Sequence, residues 1–100
     1  MPYHLSVLPS FERSIKKMDA SQRAVLKQLI RALAAYFASN GDLEKARMIA
    51  PHFFFKQLRR PFYEAGIESR LRVVLRKEEL EFFALLAGNH DQVKKFLSGN

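Results

Sequence analysis

Cysteine is absent from this 100-residue chain, and no repeat, low-complexity tract or linker interrupts it. The absence of cysteine excludes a disulfide framework, thiolate zinc sites and cysteine nucleophiles. No apolar run approaches the roughly 18–20 residues that span a membrane. The first ten residues also lack the basic start and apolar stretch of a secretory signal. We therefore expect a cytoplasmic protein with no membrane partner.

Length and charge narrow the class of protein further. A chain of 100 residues with 48% hydrophobic residues predicts a single globular domain covering residues 1–100. The formal net charge is +7 and the sequence pI is near 10.1. A field of that sign attracts nucleic acid, anionic lipid or an acidic protein. A soluble domain that merely happens to be basic is the alternative.

The first half of the sequence has the patterns of one strand and two helices. Residues 3–8 alternate apolar and polar side chains, which predicts a short strand ended by Pro9. Ser10 is the expected N-cap of a helix reaching Met18. Asp19 and Gln22 resemble a capping box, so we expect a second helix to about Ser39 that forms a helical hairpin with the first. Its expected buried stripe consists of Val25, Leu29, Leu33, Tyr36 and Phe37.

In the second half of the sequence, the hydrophobic pattern changes to the alternation that is typical of strands. Asn40-Gly41 predicts a left-handed turn after the long helix, and residues 42–50 fit either a helical turn or an ordered loop. Short connections predict antiparallel strands, and a short final helix follows. The expected strands are Phe53–Leu58, Phe62–Ile67, Ser69–Arg76 and Leu80–Ala87, with a polar break at 77–79 and a helix over Asp91–Leu97. The fold class is therefore α+β, a helical hairpin packed on an antiparallel sheet.

The strand over residues 69–76 separates two kinds of side chain. Leu71, Val73 and Leu75 share one face, which must pack on the helices. The other face carries Arg70, Arg72, Val74 and Arg76. Three cations in a row repel one another and need an anionic partner, which nearby glutamates or an external phosphate backbone would equally supply.

Several short sequence motifs, in the order in which they occur, resemble those of the RelE/ParE superfamily of bacterial toxins. Residues 11–18 (FERSIKKM) resemble the family's first helix, and Lys56-Gln57-Leu58 resembles the K-x-L before its sheet. Residues 71–75 (LRVVL) resemble its y-R-v-v-y strand. Residues 85–90 (LLAGNH) resemble the end of its last strand, where catalytic members often carry a histidine or basic residue. The family's E-L-R word is replaced here by Glu64-Ala65-Gly66, which lacks the arginine.

The resemblance implies the toxin of a type II toxin–antitoxin system. Ribosome-dependent members cut mRNA without a metal or small-molecule cofactor, through attack of the RNA 2′-hydroxyl on the adjacent phosphate. Its partners would be the ribosome, mRNA and a cognate acidic antitoxin. Other members of the fold inhibit DNA gyrase and lack the nuclease residues. A non-catalytic gyrase inhibitor and an inert basic interaction domain therefore remain alternatives.

The nuclease hypothesis assigns roles to particular side chains. This chemistry needs cations on the phosphate and an acid and a base for the two oxygens. The expected catalytic residues are Arg72, His90, Lys56 and Glu64, although Glu64 also fits an ion pair with Arg70 or Arg72. The expected nucleic-acid-binding residues are Arg59, Arg60, Arg70, Arg76, Lys94 and Lys95.

Two further features have open interpretations. Arg23, Lys27 and Arg31 form one exposed face of the long helix, which would contact ribosomal RNA or simply be solvated. Phe54 would be exposed if Phe53 and Phe55 are buried, and an exposed ring suits base stacking or an antitoxin contact. Burial in the core beneath the loop is the alternative.

Overall fold

The computed structural model describes residues 3–67 and 71–99 of the chain. It has the expected α+β order of elements. They are β1 (His4–Val7), α1 (Pro9–Lys16), α2 (Ala20–Ala38), α3 (Leu43–Ile49), β2 (Phe53–Gln57), β3 (Phe62–Ile67), β4 (Leu71–Glu78), β5 (Glu81–Gly88) and α4 (His90–Ser98). Across the described ranges, no helix combines the length and apolarity needed to cross a membrane.

The strands form one five-stranded sheet in the order β1-β5-β4-β3-β2. Strands β2 to β5 are antiparallel neighbours, as the short connections predicted. The first strand adds a parallel edge, because residues 4–7 of β1 pair with residues 81–84 of β5. The sheet is therefore mixed, and its outermost pair joins the start of the chain to its last strand.

The long helix begins and ends where the sequence indicated. Gln22 N donates to Asp19 Oδ1 at 2.8 Å and Asp19 N donates to Gln22 Oε1 at 3.1 Å, which completes the capping box. After the helix, Asn40 and Gly41 have φ angles of 57° and 92°, which confirms the left-handed turn. The ambiguous residues 42–50 form helix α3, whose N-cap Asp42 accepts from the amide of Glu44.

Several boundaries differ from the sequence-based expectation, three of them for clear physical reasons or with consequences for the site. Leu8, not Ser10, is the N-cap of α1, because Pro9 takes the first helical position, where its fixed φ and missing N–H suit a helix. The Ser10 hydroxyl instead donates to the carbonyl of Leu85 at 2.6 Å and ties α1 to β5. Strand β4 continues through Lys77 and Glu78, and helix α4 begins one residue early, at His90.

One face of the sheet, called here the packed face, lies against α2 and forms the main core. Leu29, Ala32 and Leu33 of α2 are 0% exposed. They join one cluster with apolar side chains of α1, α3 and four strands. Val25 and Tyr36, expected on the buried stripe, are only partly buried and pack at the margin of this cluster. The long helix therefore anchors the fold through a slightly rotated stripe.

The opposite face, called here the α4 face, carries Phe54, Lys56, Glu64, Arg72 and Val74, and is covered in part by the last helix. Val93 of α4 packs there with Val74 and with Leu85, which lies at a β-bulge in β5. Val74 is 0% exposed. Val74 shares this face with Arg72, as alternation predicted, and it is buried there because α4 packs over it. The arginine-bearing face is consequently half covered and half open.

Candidate functional site

A row of four residues crosses the open part of the α4 face at the level of Arg72. Phe54, Gly66, Arg72 and Gly88 are successive register partners on strands β2, β3, β4 and β5. The two glycines have no side chain beside the arginine, and neighbouring side chains fill the space they leave. A Cβ on Gly66 would lie 2.7 Å from the Phe54 ring, and one on Gly88 would lie 2.7 Å from Gln92 Oε1. The guanidinium of Arg72 is 5.4 Å from the centroid of that ring, a cation–π contact.

The next row of the same face contains a buried carboxylate between two cations. Glu64 is only 3% exposed. Its Oε1 accepts a 2.6 Å hydrogen bond from Arg72 Nη1 and lies 3.8 Å from Lys56 Nζ. This geometry confirms the expected ion pair between Glu64 and Arg72. A buried carboxylate requires such partners, because an unpaired charge at this depth is costly.

The two cations of this cluster differ in how a ligand would reach them. The Arg72 side chain is 14% exposed, and its buried Nε has no hydrogen-bond partner in the part of the chain that is described. The Lys56 side chain is 54% exposed, and its ammonium lies 5.7 Å from the Phe54 ring centroid. Of the two cations, Lys56 is therefore the more accessible to an incoming anion. Arg72 is mostly buried and contacts Glu64 and Phe54.

His90 lies at the same end of the sheet. It is the first residue of α4 and comes two residues after Gly88, the register partner of Arg72. The residue is exposed. Within residues 3–67 and 71–99, no hydrogen bond or ion pair joins its ring to Lys56, Glu64 or Arg72. The backbone places His90 beside the cluster, and its catalytic role stays a prediction.

The expected nucleic-acid-binding residues divide into two groups. Arg59 and Lys94 line a shallow cleft of about 380 Å³ with the half-buried Phe62, and the exposed Arg60 follows Arg59 in the same turn. Arg76 is the register partner of Phe62, with its Nε 3.7 Å from Glu78 and its guanidinium 5.3 Å from the ring centroid of Phe83. Arg70 lies outside the described residues.

Lys95 does not join these cations. It lines a separate cleft on the other side of α4, together with Arg13 and Lys17 of the α1 region. The sequence had not grouped these three residues. The four-residue spacing of Arg13 and Lys17 indicates a shared helix face, but nothing in the sequence places that face opposite Lys95.

Several solved structures of similar fold are toxins or toxin–antitoxin complexes. The E. coli DinJ-YafQ toxin–antitoxin complex matches with a TM-score of 0.65 and 10% identity, covering 93% of this chain and 98% of that one. The RelB-RelE antitoxin–toxin complex from Methanococcus jannaschii matches with a TM-score of 0.61 and 11% identity, covering 91% and 96%.

A copper-bound mutant toxin from Helicobacter pylori is also similar, with a TM-score of 0.57, 22% identity and coverage of 91% of this chain and 98% of that one. No protein-family profile and no curated protein matches the sequence. At these identities the likeness concerns the fold. The chain has a RelE-like toxin fold, with its helices and five-stranded mixed sheet in the same arrangement.

Proposed function

We propose that this protein is the toxin of a toxin–antitoxin module and that it cuts mRNA on the ribosome. The observation that carries the proposal is the cluster of Lys56, Glu64 and Arg72 packed on Phe54, with His90 at the adjacent start of α4. The likeness of the fold to toxins supports it. The formal net charge of +7 supports an RNA target.

The proposed reaction is attack of an RNA 2′-hydroxyl on the adjacent phosphate, which leaves a cyclic phosphate and a free 5′-hydroxyl. Lys56, as the accessible cation, would stabilise the charge that develops on the phosphate oxygens. His90 would transfer a proton as a general acid or base, since its imidazole nitrogens can donate or accept one. Arg72 would support the phosphate site from behind, and Glu64 would hold Arg72 in place or act as the base.

Binding of the RNA strand would extend beyond the reacting phosphate. Arg59 and Lys94 share one cleft, and Arg76 neighbours the Phe62 side chain that lines it. Cations spaced in this way contact a phosphate backbone without reading its sequence. We therefore expect their loss to weaken RNA binding about uniformly across sequences and to lower its salt dependence.

The test is induced expression followed by primer extension on ribosome-bound message. We expect growth arrest with new 5′ ends in the wild type, and no arrest for Lys56→Ala or His90→Ala, whose exposed side chains leave the core intact. Lys45→Ala, which removes another exposed cation, from α3, is the matched control and should still arrest growth. Persistent cleavage by the Lys56→Ala/His90→Ala double variant would contradict the assignment.

A second candidate function is non-catalytic inhibition of DNA gyrase. It is favoured by the hydrogen bond that engages Arg72 with Glu64 inside the fold, and by the lack of an arginine in Glu64-Ala65-Gly66. In that case DNA supercoiling would fail on induction while mRNA stays intact. A supercoiling assay beside the primer extension separates the two functions.

The proposed toxin requires a partner that holds it inactive. Two of the similar structures are complexes with the antitoxins RelB and DinJ. We expect an acidic antitoxin encoded beside this chain, because a surface with a formal net charge of +7 favours an acidic protein. Co-expression of that neighbouring reading frame should restore growth, and failure to do so would count against the module.

A further inference from the structure

A second cationic site lies on the other side of α4 from the Lys56 cluster. The cleft between α1, β5 and α4, called here the α1–α4 cleft, has a volume of about 470 Å³. This is within the range of small-molecule sites, roughly 300–1,000 Å³. Arg13 and Lys17 line one wall and Lys95 lines the other. No aspartate or glutamate lines it, and these three cations form no ion pair with any described residue.

Two amide groups in the cleft are oriented by the caps of neighbouring helices. The Oε1 atoms of Gln22 and Gln92 accept the backbone N–H groups of Asp19 and Asn89, at 3.1 and 2.8 Å. Each capping box therefore fixes the carbonyl end of an amide. The NH₂ ends donate no hydrogen bond to any described residue. They are left to donate to a ligand.

The serine hydroxyls of the cleft are already engaged. Ser10 Oγ donates to the Leu85 carbonyl and Ser14 Oγ donates to the Phe11 carbonyl, both at 2.6 Å. The side-chain groups that remain for a ligand are three cations and two amide donors, with no carboxylate among them. Such a set favours an anion that accepts several hydrogen bonds at once. A phosphate group with its three strong acceptor oxygens suits it better than a carboxylate with two.

The rest of the cleft is apolar. Met18, Leu86 and Phe96 line it beside the polar groups. An inorganic phosphate would fill a small part of the 470 Å³ cleft and leave this apolar surface exposed to water. We propose that the α1–α4 cleft binds a nucleoside phosphate, with the phosphates among Arg13, Lys17 and Lys95 and the base against the apolar side. The nucleotide would be free or part of an RNA strand, and this binding is separate from the proposed cleavage.

The test is binding of ADP and of a short oligoadenylate to the whole protein, by calorimetry and by NMR of the ¹⁵N-labelled chain. Arg13→Ala/Lys17→Ala should weaken nucleotide binding by at least about tenfold, since two charge-assisted contacts are lost. The matched control is Lys27→Ala/Arg31→Ala, which also removes a lysine and an arginine four residues apart on an exposed helix face. It should stay within about twofold of wild type, because distant exposed charges are screened.

The NMR spectra locate the ligand independently of the affinities. The side-chain NH₂ signals of Gln22 and Gln92 should shift on titration. Binding of ADP identifies a free nucleotide, and binding of oligoadenylate alone, with the same loss in Arg13→Ala/Lys17→Ala, identifies a nucleotide of an RNA strand.

Three results would overturn the proposal. They are equal affinities of the two double variants, pyrophosphate binding as tightly as ADP, and binding of a glutamate-rich peptide in the absence of nucleotide binding. Lys56→Ala should leave ADP affinity within about twofold, because this exposed charge lies outside the cleft and is screened from it. Failure of the cleavage hypothesis is thereby distinguished from failure of this one.

Discussion

The packed face and the α4 face of the sheet use alternate residues of the same strands, but they differ in what covers them. On the packed face, α2 covers the strands and the core side chains are apolar. On the α4 face, a helix of nine residues packs over Val74 and Leu85, and its Gln92 lies against Gly88 at the β5 end of the row at Arg72. Within the charged cluster, the Lys56 side chain on β2 stays 54% exposed. The final helix packs on β4 and β5 and leaves the Lys56 end of the cluster accessible.

The largest expected effect comes from a cavity in the packed face. Leu33 is 0% exposed, so Leu33→Ala should lower the free energy of unfolding by about 4 kcal/mol. The measurement is urea denaturation followed by circular dichroism. Leu80→Ala is the control, because Leu80 is 44% exposed in a turn, and it should cost about 0.5 kcal/mol. Equal losses for the two variants would mean that the packed face is not the main core.

The next effect concerns the charged cluster of the α4 face. Glu64→Ala leaves the Arg72 guanidinium without its hydrogen-bonded partner, and should lower the free energy of unfolding by about 3 kcal/mol. Glu64→Gln keeps an acceptor of the same shape and should lose less. Comparing the denaturation curves of the two variants separates the contribution of the Glu64 charge from that of its side-chain shape. An unchanged free energy of unfolding for Glu64→Ala would show that the ion pair does not stabilise the fold.

A smaller loss is expected from the glycine under the Phe54 ring. In Gly66→Ala the new Cβ would lie 2.7 Å from the ring and 2.9 Å from the Leu71 carbonyl oxygen. One of the two must move, at a cost of about 2 kcal/mol. Gly99→Ala is the control, since its nearest contact would be an ordinary 3.5 Å. If Gly66→Ala is as stable as Gly99→Ala, the packing of Phe54 against Gly66 is looser than the 2.7 Å distance implies.

The smallest effect is a pH dependence on the packed side. Burial, and then the charge of Tyr3, raise the pKa of Tyr36 above its usual value of about 10. The folded state therefore holds this proton more tightly than the unfolded state. The stabilisation is present below about pH 10 and is lost as the pH rises through the folded-state pKa. Urea denaturation above pH 10 should show a shallower decline for Tyr36→Phe than for wild type, and identical slopes would contradict this.

Local signals in the sequence predicted most of the elements, because each depends on neighbours in the chain. The Asp19 and Gln22 capping box and the Asn40-Gly41 turn were both confirmed. The burial of Val74 was not predictable in the same way. Alternation assigns it to a face of β4, but only the return of α4 decides that this part of the face is covered.

The candidate site shows the same limit. The pairing of Glu64 with Arg72 could be anticipated from charge and strand order, and it is confirmed. The difference in exposure between Lys56 and Arg72 depends on tertiary packing, in which the Phe54 ring lies over Gly66 and beside the Arg72 guanidinium. The α1–α4 cleft joins Arg13 and Lys95, which come from opposite ends of the sequence. Residues that meet across so long a stretch of chain show no periodic pattern in the sequence that would reveal their contact.

The parallel pairing of β1 with β5 has a consequence for when the protein acquires its structure. Residues 4–7 have no strand to pair with until residues 81–84 are present. Contacts between residues so distant in sequence form slowly. During synthesis, the first strand emerges long before its partner exists. A nascent chain that lacks β5 has neither this edge nor the start of α4, so the candidate site is assembled only after residues 81–90 have been translated.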